Sequence, residues 1–407
     1  MSRAQGLARL TAFTPAMGGV YAAGRNYDLG PGDRRAVSML SPFVRRRLVT
    51  EDELAAAALA AHGASKAEKF LQEVVWRTYF KGWIEHRPSV WSAYRAGLVQ
   101  DLDALDGSAE RRYTQALEGG TGIDCFDAWS AELRATGYLH NHAHMWFASI
   151  WIFTLGLPWR LGADFFLRHL MDGCAASNTL GWRWVAGLHT EGKVYAALSS
   201  NIAKYTGGRF PVTPGLAQTP VPLDEGGNPA LSPLRPWAQP APGVGLRVRL
   251  IHEDDMAPLD TPAETVITLR LTEQRSPLPV AQAVADADAE ALQDAAGRAG
   301  GAAAPFATPW VDAGDAAATF ATPSVEAFAE RLVDMGATEL VTAYVPVGWV
   351  RDWLDRATPV LAARRIRLTE ERRAWDGAFW PHATAGFFKV KKQIPKTLKA
   401  LSPQALA

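Results

Sequence analysis

Between residues 211 and 245 the chain reads PVTPGLAQTPVPLDEGGNPALSPLRPWAQPAPGVG. A stretch so rich in Pro and Gly suits neither a helix nor a sheet interior and predicts an extended, semi-stiff linker. The hydrophobic pattern changes across it. Before residue 210 no run alternates apolar and polar residues, whereas beyond it short β-branched runs alternate with helical ones. A chain of 407 residues also exceeds one compact core and suggests about two domains. The predicted organisation is a helical domain over 1–210, the linker over 211–245 and an α/β domain over 246–407.

Within the first segment, residues 1–35 read as loop, with aromatic anchors at Tyr21 and Tyr27. Ser41-Pro42 predicts a helix start, with Ser41 as cap and Pro42 at the first position. Thr50-Glu-Asp-Glu53 is a capping-box pattern that opens an Ala-rich helix to about Ala61. Further helices are expected over Ser65–Glu85, over Asp124–Thr136 with Gly137 as its stop, over Asn141–Leu155 and over Gly162–Met171. Asn141–Leu155 is apolar nearly all round, the mark of a buried helix. In the last segment, strands are expected over Leu246–Ile251, Val266–Leu271, Glu339–Val345 and Arg365–Leu368. Helices are expected over Ala281–Arg298, Ser324–Gly336 and Val347–Ala363, and a low-complexity loop over Gly300–Pro323. That alternation predicts a parallel sheet. Its first strand runs into His252-Glu-Asp-Asp255, at the sheet end where such folds bind ligands.

Composition excludes several classes. Lys+Arg and Asp+Glu balance at 42 each, so no global field recruits nucleic acid. The balance hides a split: 23 basic and 19 acidic residues in 1–210, against 19 and 23 in 211–407. Cys125 and Cys174 are the only cysteines, too few for a four-cysteine metal or iron–sulfur site. No run reaches the roughly 18 apolar residues of a membrane span. With no signal-peptide pattern either, the expectation is a cytoplasmic protein with no membrane association and no metal cluster.

The stretch Thr136–Trp184 carries the chemistry. It interleaves His140, Asn141, His142, His144, Asp172 and Asn178 with five of the fifteen tryptophans. That mixture suits a buried site for a large, flat, partly polar ligand. His140 and His144 share a helix face, but His142 points elsewhere and no HExxH glutamate is present, so structural or ligand-bonding histidines are favoured over metal ligands. No G-x-S-x-G elbow supports a hydrolase. The tryptophans are either aromatic filling or a relay carrying electrons from the surface to a buried redox cofactor.

Six motifs, in order and spacing, resemble the flavin domain of the photolyase/cryptochrome family: Ser38-x-Leu-Ser-Pro42, Glu73-Val-Val-Trp-Arg77, Thr121-Gly…Asp127, Thr136-Gly-Tyr-Leu-His-Asn141, Asp172-Gly-x-Ala-Ala-x-Asn178 and Gly181-Trp-Arg-Trp184. The resemblance covers about residues 20–210. It implies an all-helical fold holding FAD in a folded conformation, followed here by a Rossmann-like α/β domain. Ser38, Leu40 and Ser41 match the phosphate cradle, with Tyr27 just upstream. Phe70, Glu73 and Arg77 match the helix beside the flavin, Asp172 its partner acid and Asn178 the amide facing N5. Trp182 and Trp159 match the inner and middle members of a photoreduction chain. Glu73, Trp76, Asn141, Met145 and Trp184 match the pocket that takes a cyclobutane pyrimidine dimer; relatives acting on six-four photoproducts carry His where this chain has Asn141 and Met145. The implied partner is damaged DNA, with a signalling partner instead if the chain works as a cryptochrome-like photoreceptor.

The sequence departs from the family in four places. His144 stands where an arginine usually pairs with the flavin-site acid, and a protonated His there would make the flavin pH-sensitive. Cys174 replaces a second acid, His142 an arginine that meets DNA phosphate, and Asp106 the outer relay tryptophan; Tyr113, Trp91 and Trp151 are the candidate substitutes. In the family an α/β antenna domain comes before the flavin domain. Here the α/β segment comes after it, an apparently permuted order, and an antenna chromophore of unknown identity is the implied second cofactor. Arg34–Arg35, Arg45–Arg47, Arg111–Arg112 and the basic tail around Lys389–Lys399 are candidate phosphate contacts, with solvated surface as the plainer reading.

Overall fold

A computed structural model describes residues 1–242, 245–299 and 324–401; the expected loop over Gly300–Pro323 lies outside them. Up to residue 242 every regular element is helical. The capping box at Thr50 forms as read, with Glu53 closing back on the cap backbone. The helix it opens, Glu51–Glu85, absorbs both helices expected there, bending at Gly63, whose φ of 68° is open to glycine at no steric cost. Asp124–Thr136 ends on Gly137 in the left-handed region. Asn141–Ser149 passes into a π-helical turn over Ile150–Thr154, then Trp159–His169 and Ala175–Val185 follow.

One expectation fails at the start of the chain. Residues 1–35 are not all loop: Ser2 and Gln5 make a reciprocal capping box for a helix over Arg3–Phe13, and a short helix covers Gly19–Gly24. Leu10 and Phe13 are buried by that first helix. Gly- and Arg-rich composition masked a helix whose apolar face is only a few residues wide.

Among the described residues the α/β segment forms four parallel strands, β1 (Leu246–His252), β2 (Thr265–Leu269), β3 (Ala337–Ala343) and β4 (Arg367–Glu371), in the order β2-β1-β3-β4. Helices Gln282–Ala299, Val325–Asp334 and Trp349–Ala363 pack beside them.

The compositional halves are joined by packing. The larger apolar cluster runs from Leu10 through Trp182 to Leu398. Helices Ala374–Phe379, Phe387–Lys391 and Ile394–Leu401 all lie on Glu51–Glu85. Trp375 donates from its indole to Thr78 at 2.8 Å, and the chain at Trp380 comes so close to Gly82 that a Cβ there would meet backbone at 3.0 Å. The described residues of the 211–245 stretch form no helix or strand but are anchored: Glu225 accepts from Trp159 (2.9 Å) and Arg183 (2.9 Å), and Ser232 bonds His86.

The end of β1 is not an open ligand site. Arg45, Arg46 and Arg47, expected on the surface, are buried against it. Arg45 meets Asp254 at 2.9 Å, Arg46 meets Asp288 at 2.6 Å, and Arg47 meets Asp255 (3.0 Å), Asp376 (2.7 Å) and Glu51 (3.1 Å). A run of three arginines looks solvent-facing in sequence because its counter-charges other than Glu51 lie some 200 residues or more away.

Candidate functional site

A cavity of about 480 Å3 opens in the helical half. Four stretches build it: the turn at Ser38–Ser41, the Phe70–Phe80 part of the long helix, Asn141–Ala148, and Leu170–Val185. Met39, between Ser38 and Leu40, has φ of 54°, a conformation rare outside glycine. The Ser38 carbonyl accepts from Arg9 at 2.6 Å, so the first helix props this turn.

Of the residues singled out in the sequence, Ser38, Leu40, Ser41, Phe70, Glu73, Trp76, Arg77, Asn141, His144, Met145, Asp172, Cys174, Asn178, Trp182 and Trp184 all line this one cavity. They divide by depth. Cys174, Asn178 and Trp182 are buried, whereas Glu73, Trp76, Met145 and Trp184 are half-buried and Asn141 is exposed. The first group forms a floor and the second a rim. Tyr27 does not line the cavity; it packs edge-on against Tyr205, 5.2 Å between centroids, and Tyr21 takes the corresponding wall position. The sequence marks Tyr21 only as an aromatic anchor of the expected loop over 1–35, without a place at the cavity. Ser177 was also missed, although 174, 177, 178, 181, 184 and 185 fall on one helical face, a spacing that marks it.

The electrostatics of the floor differ from the expectation. Asp172 pairs with Arg77 at 3.3 Å, so the cation beside the acid comes from the long helix and not from His144. Burial pushes the His144 imidazole down to about 4 against the pull of Asp172, which keeps it neutral near pH 7. Burial would raise the Cys174 thiol, but Arg77 and Lys81, a backbone N–H from Ser177 and Arg45 together outweigh it and pull the thiol below its usual value. At the rim, burial raises the Glu73 carboxyl despite its ion pair with Arg25 at 2.6 Å. Asn178 donates to the Ala163 carbonyl at 2.8 Å, which fixes its amide plane.

Trp182 lies over Gly162 so closely that a Cβ on that glycine would fall 2.2 Å from the indole. Its ring meets Trp151 at 6.1 Å and Phe166 at 5.1 Å, and Trp151 in turn meets Tyr113 at 6.0 Å. Trp159 is outside the cavity wall; it meets Tyr94 at 5.7 Å, which meets Trp91 at 5.4 Å. Tyr113 and Trp91 therefore extend different branches. Asp106 caps the Gly107–Glu118 helix by accepting from Ser108 and Ala109. His140 bonds the Arg25 carbonyl, and among the described residues no three His, Cys, Asp or Glu side chains gather in a form that could hold a metal.

The donor set fits a large polar ligand. Arg77 Nη1, His144 Nε2, Ser177 Oγ and Trp182 Nε1 are buried atoms of cavity-lining residues with no partner in the protein. Unpaired buried atoms also occur elsewhere among the described residues, but these four line a cavity, where a ligand could supply their bonds.

Residues 70–205 match the family described as the FAD binding domain of DNA photolyase. This region belongs to that family. The deoxyribodipyrimidine photo-lyase of Thermus thermophilus is 34% identical over 190 residues, 46% of this chain and 43% of that protein. A solved bacterial class III photolyase from Agrobacterium tumefaciens covers 51% of this chain and 43% of its own at 26% identity and a TM-score of 0.41. A Synechocystis cryptochrome covers the same shares at 21% identity and a TM-score of 0.42. The chain thus spans under half the length of these relatives. Among the described residues no helix is long and apolar enough to cross a membrane.

Proposed function

We propose that the cavity holds FAD and that the chain carries out light-driven splitting of pyrimidine dimers in DNA, with the cyclobutane type as substrate. The observation that carries this reading is one cavity lined both by the orphaned polar atoms of Arg77, His144, Ser177 and Trp182 and by Glu73, Trp76, Asn141, Met145 and Trp184. The bound, reduced and photoexcited flavin would supply the electron that opens the cyclobutane ring, and recover it afterwards.

The protein's own residues bind, orient and tune. Arg77 and Asp172 form a charge pair beside the ligand, His144 offers a neutral imidazole and Asn178 a fixed amide. Trp76 and Trp184 offer apolar faces to an extruded dinucleotide, and Glu73 and Asn141 offer polar edges. Glu73 presents its carboxyl at that edge while paired with Arg25 at 2.6 Å. Trp182 carries electrons inward, with Trp159 or Trp151 behind it.

One observation favours a second reading, a cryptochrome-like photoreceptor that signals to a protein partner. Phe387 already lies flat on Trp76, 3.8 Å between centroids and 11° between planes, so one indole face is taken. The deciding experiment mixes FAD-loaded, photoreduced protein with an oligonucleotide containing a cyclobutane dimer, illuminates it and assays dimer loss. Loss of the dimer in light alone is expected. Intact dimers alongside reversible bleaching of the oxidised flavin would leave the photoreceptor reading. Trp182→Phe should slow photoreduction at least tenfold while FAD stays bound.

A further inference from the structure

The segment 386–401 carries a dense local charge imbalance in a chain whose totals cancel. It contains Lys389, Lys391, Lys392, Lys396 and Lys399 and no Asp or Glu. Its two helices lie on Glu51–Glu85 with Phe387, Val390, Ile394 and Leu398 buried beneath them. Lys389, Lys392, Lys396 and Lys399 are exposed, and Lys391 alone of the five reaches a carboxylate among the described residues, Glu68 at 3.6 Å.

A row of exposed lysines is ordinarily just a solvated helix face. Two further observations set this one apart. Phe387 stacks on Trp76, so the segment abuts the cavity rim. Its neighbour Phe388 is 74% exposed, the most open large apolar side chain among the described residues. Leaving a phenyl ring in water forgoes a substantial hydrophobic gain, and here the ring is set among lysines beside an opening lined by tryptophans. Aromatic faces interleaved with cations along a groove are how proteins hold single-stranded nucleic acid, through base stacking and phosphate contacts.

We propose that residues 386–401 form a docking strip for the nucleic-acid strand flanking the nucleotides held at the cavity mouth. Phe388 stacks on a flanking base, and Lys389, Lys392, Lys396 and Lys399 meet successive phosphates. The proposal rests on the reading that a nucleic acid is the substrate at the rim. An anionic membrane fits less well. An amphipathic helix inserts its apolar face into lipid, and here that face is already buried on the protein.

The test measures fluorescence anisotropy of an undamaged single-stranded oligonucleotide with the FAD-loaded full chain between 50 and 200 mM salt. Replacing all four exposed lysines with Gln should lower the slope of log affinity against log salt by about 3, at roughly 0.7 per phosphate contact on a single strand. Phe388→Ala should weaken binding about tenfold with an unchanged slope. Both variants alter exposed side chains, so flavin spectra and unfolding midpoints should match the parent. Variants that bind with the parent's affinity and slope would overturn the strip and leave the proposed photochemistry standing. A parent chain that binds anionic vesicles but no oligonucleotide would overturn it too. Binding lost in the variants, with no dimer split by the illuminated parent, would uphold the strip and remove repair.

Discussion

The floor of the cavity and the carboxyl edge of the sheet handle buried polarity differently, although the edge too leaves Arg275 Nε and Nη1 without hydrogen-bond partners. Around the floor, Arg77 Nη1, His144 Nε2, Ser177 Oγ and Trp182 Nε1 have no partner within the protein. At the sheet edge, Asp255 is held by Arg47 and Arg373, Asp288 by Arg46 and Arg275, and Asp254 by Arg45. An unpaired buried polar group costs about 1–3 kcal/mol, so the floor gives up stability that a bound ligand restores. The edge, by contrast, resembles the ligand end of an α/β sheet but is filled by the protein's own arginines. The two regions also touch: Arg45 donates to the Gly173 carbonyl at 2.8 Å and Arg46 to that of Met171 at 2.6 Å, on either side of Asp172.

The largest expected effect tests the edge. Asp288→Ala leaves Arg46 and Arg275 buried without their shared carboxylate and should destabilise the apo-protein by about 3–5 kcal/mol, read from a urea midpoint. A loss below about 1 kcal/mol would mean that the edge is no more structural than a surface pair.

Acid should separate the two regions next. His140, His144, His169 and His189 are held down to about 4 by burial. A histidine whose folded pKa lies below its unfolded value of about 6.5 binds its proton more tightly when unfolded. Its contribution is therefore intact above pH 6.5 and lost as pH falls toward 4, on the order of a few kcal/mol in total. Asp255 and Asp288 are depressed by their arginines despite burial, so their contribution survives until pH drops below about 4. Tryptophan fluorescence of the apo-protein should report loosening of the helical half between pH 6.5 and 4, with amide protection of β1 and β3 lasting longer. Simultaneous loss would break the comparison.

Gly162→Ala places a methyl against the Trp182 indole and should cost about 1–3 kcal/mol by overpacking. It should also displace the floor tryptophan, which slower flavin photoreduction would reveal. The smallest stability change is expected for Asp172→Asn. Its pair with the half-buried Arg77 contributes at most about 1 kcal/mol to the apo-protein. FAD affinity should nonetheless fall about tenfold in titration calorimetry, since the Arg77 charge is then uncompensated beside the ligand. A large stability loss without a change in affinity would assign Asp172 to the scaffold.

Much of this was legible in the sequence for local reasons. Thr50 and Glu53 form their box because a capping box is a matter of four consecutive residues, and Gly137 stops a helix because of its own φ. The fifteen cavity residues were legible because their motifs hold fixed spacings on helices that fold as read. The helix over Arg3–Phe13 was not, since its stability comes from Leu10 and Phe13 meeting a core built elsewhere. Tyr21 was lost with it.

The sequence alone therefore determined the helical and α/β halves, the parallel sheet and fifteen of the residues around the cavity. Helical period, capping and β-branched alternation act within a few neighbours, and these features depend on nothing more. Only the tertiary structure decided which charges meet. Asp172 turns to Arg77 instead of His144, three successive arginines are buried to close the sheet's ligand edge, and Phe387 covers one face of Trp76. Each of those contacts joins residues about 95 or more positions apart. Charge pairing and ring stacking at such separation are set by how the elements pack, and no local pattern encodes them.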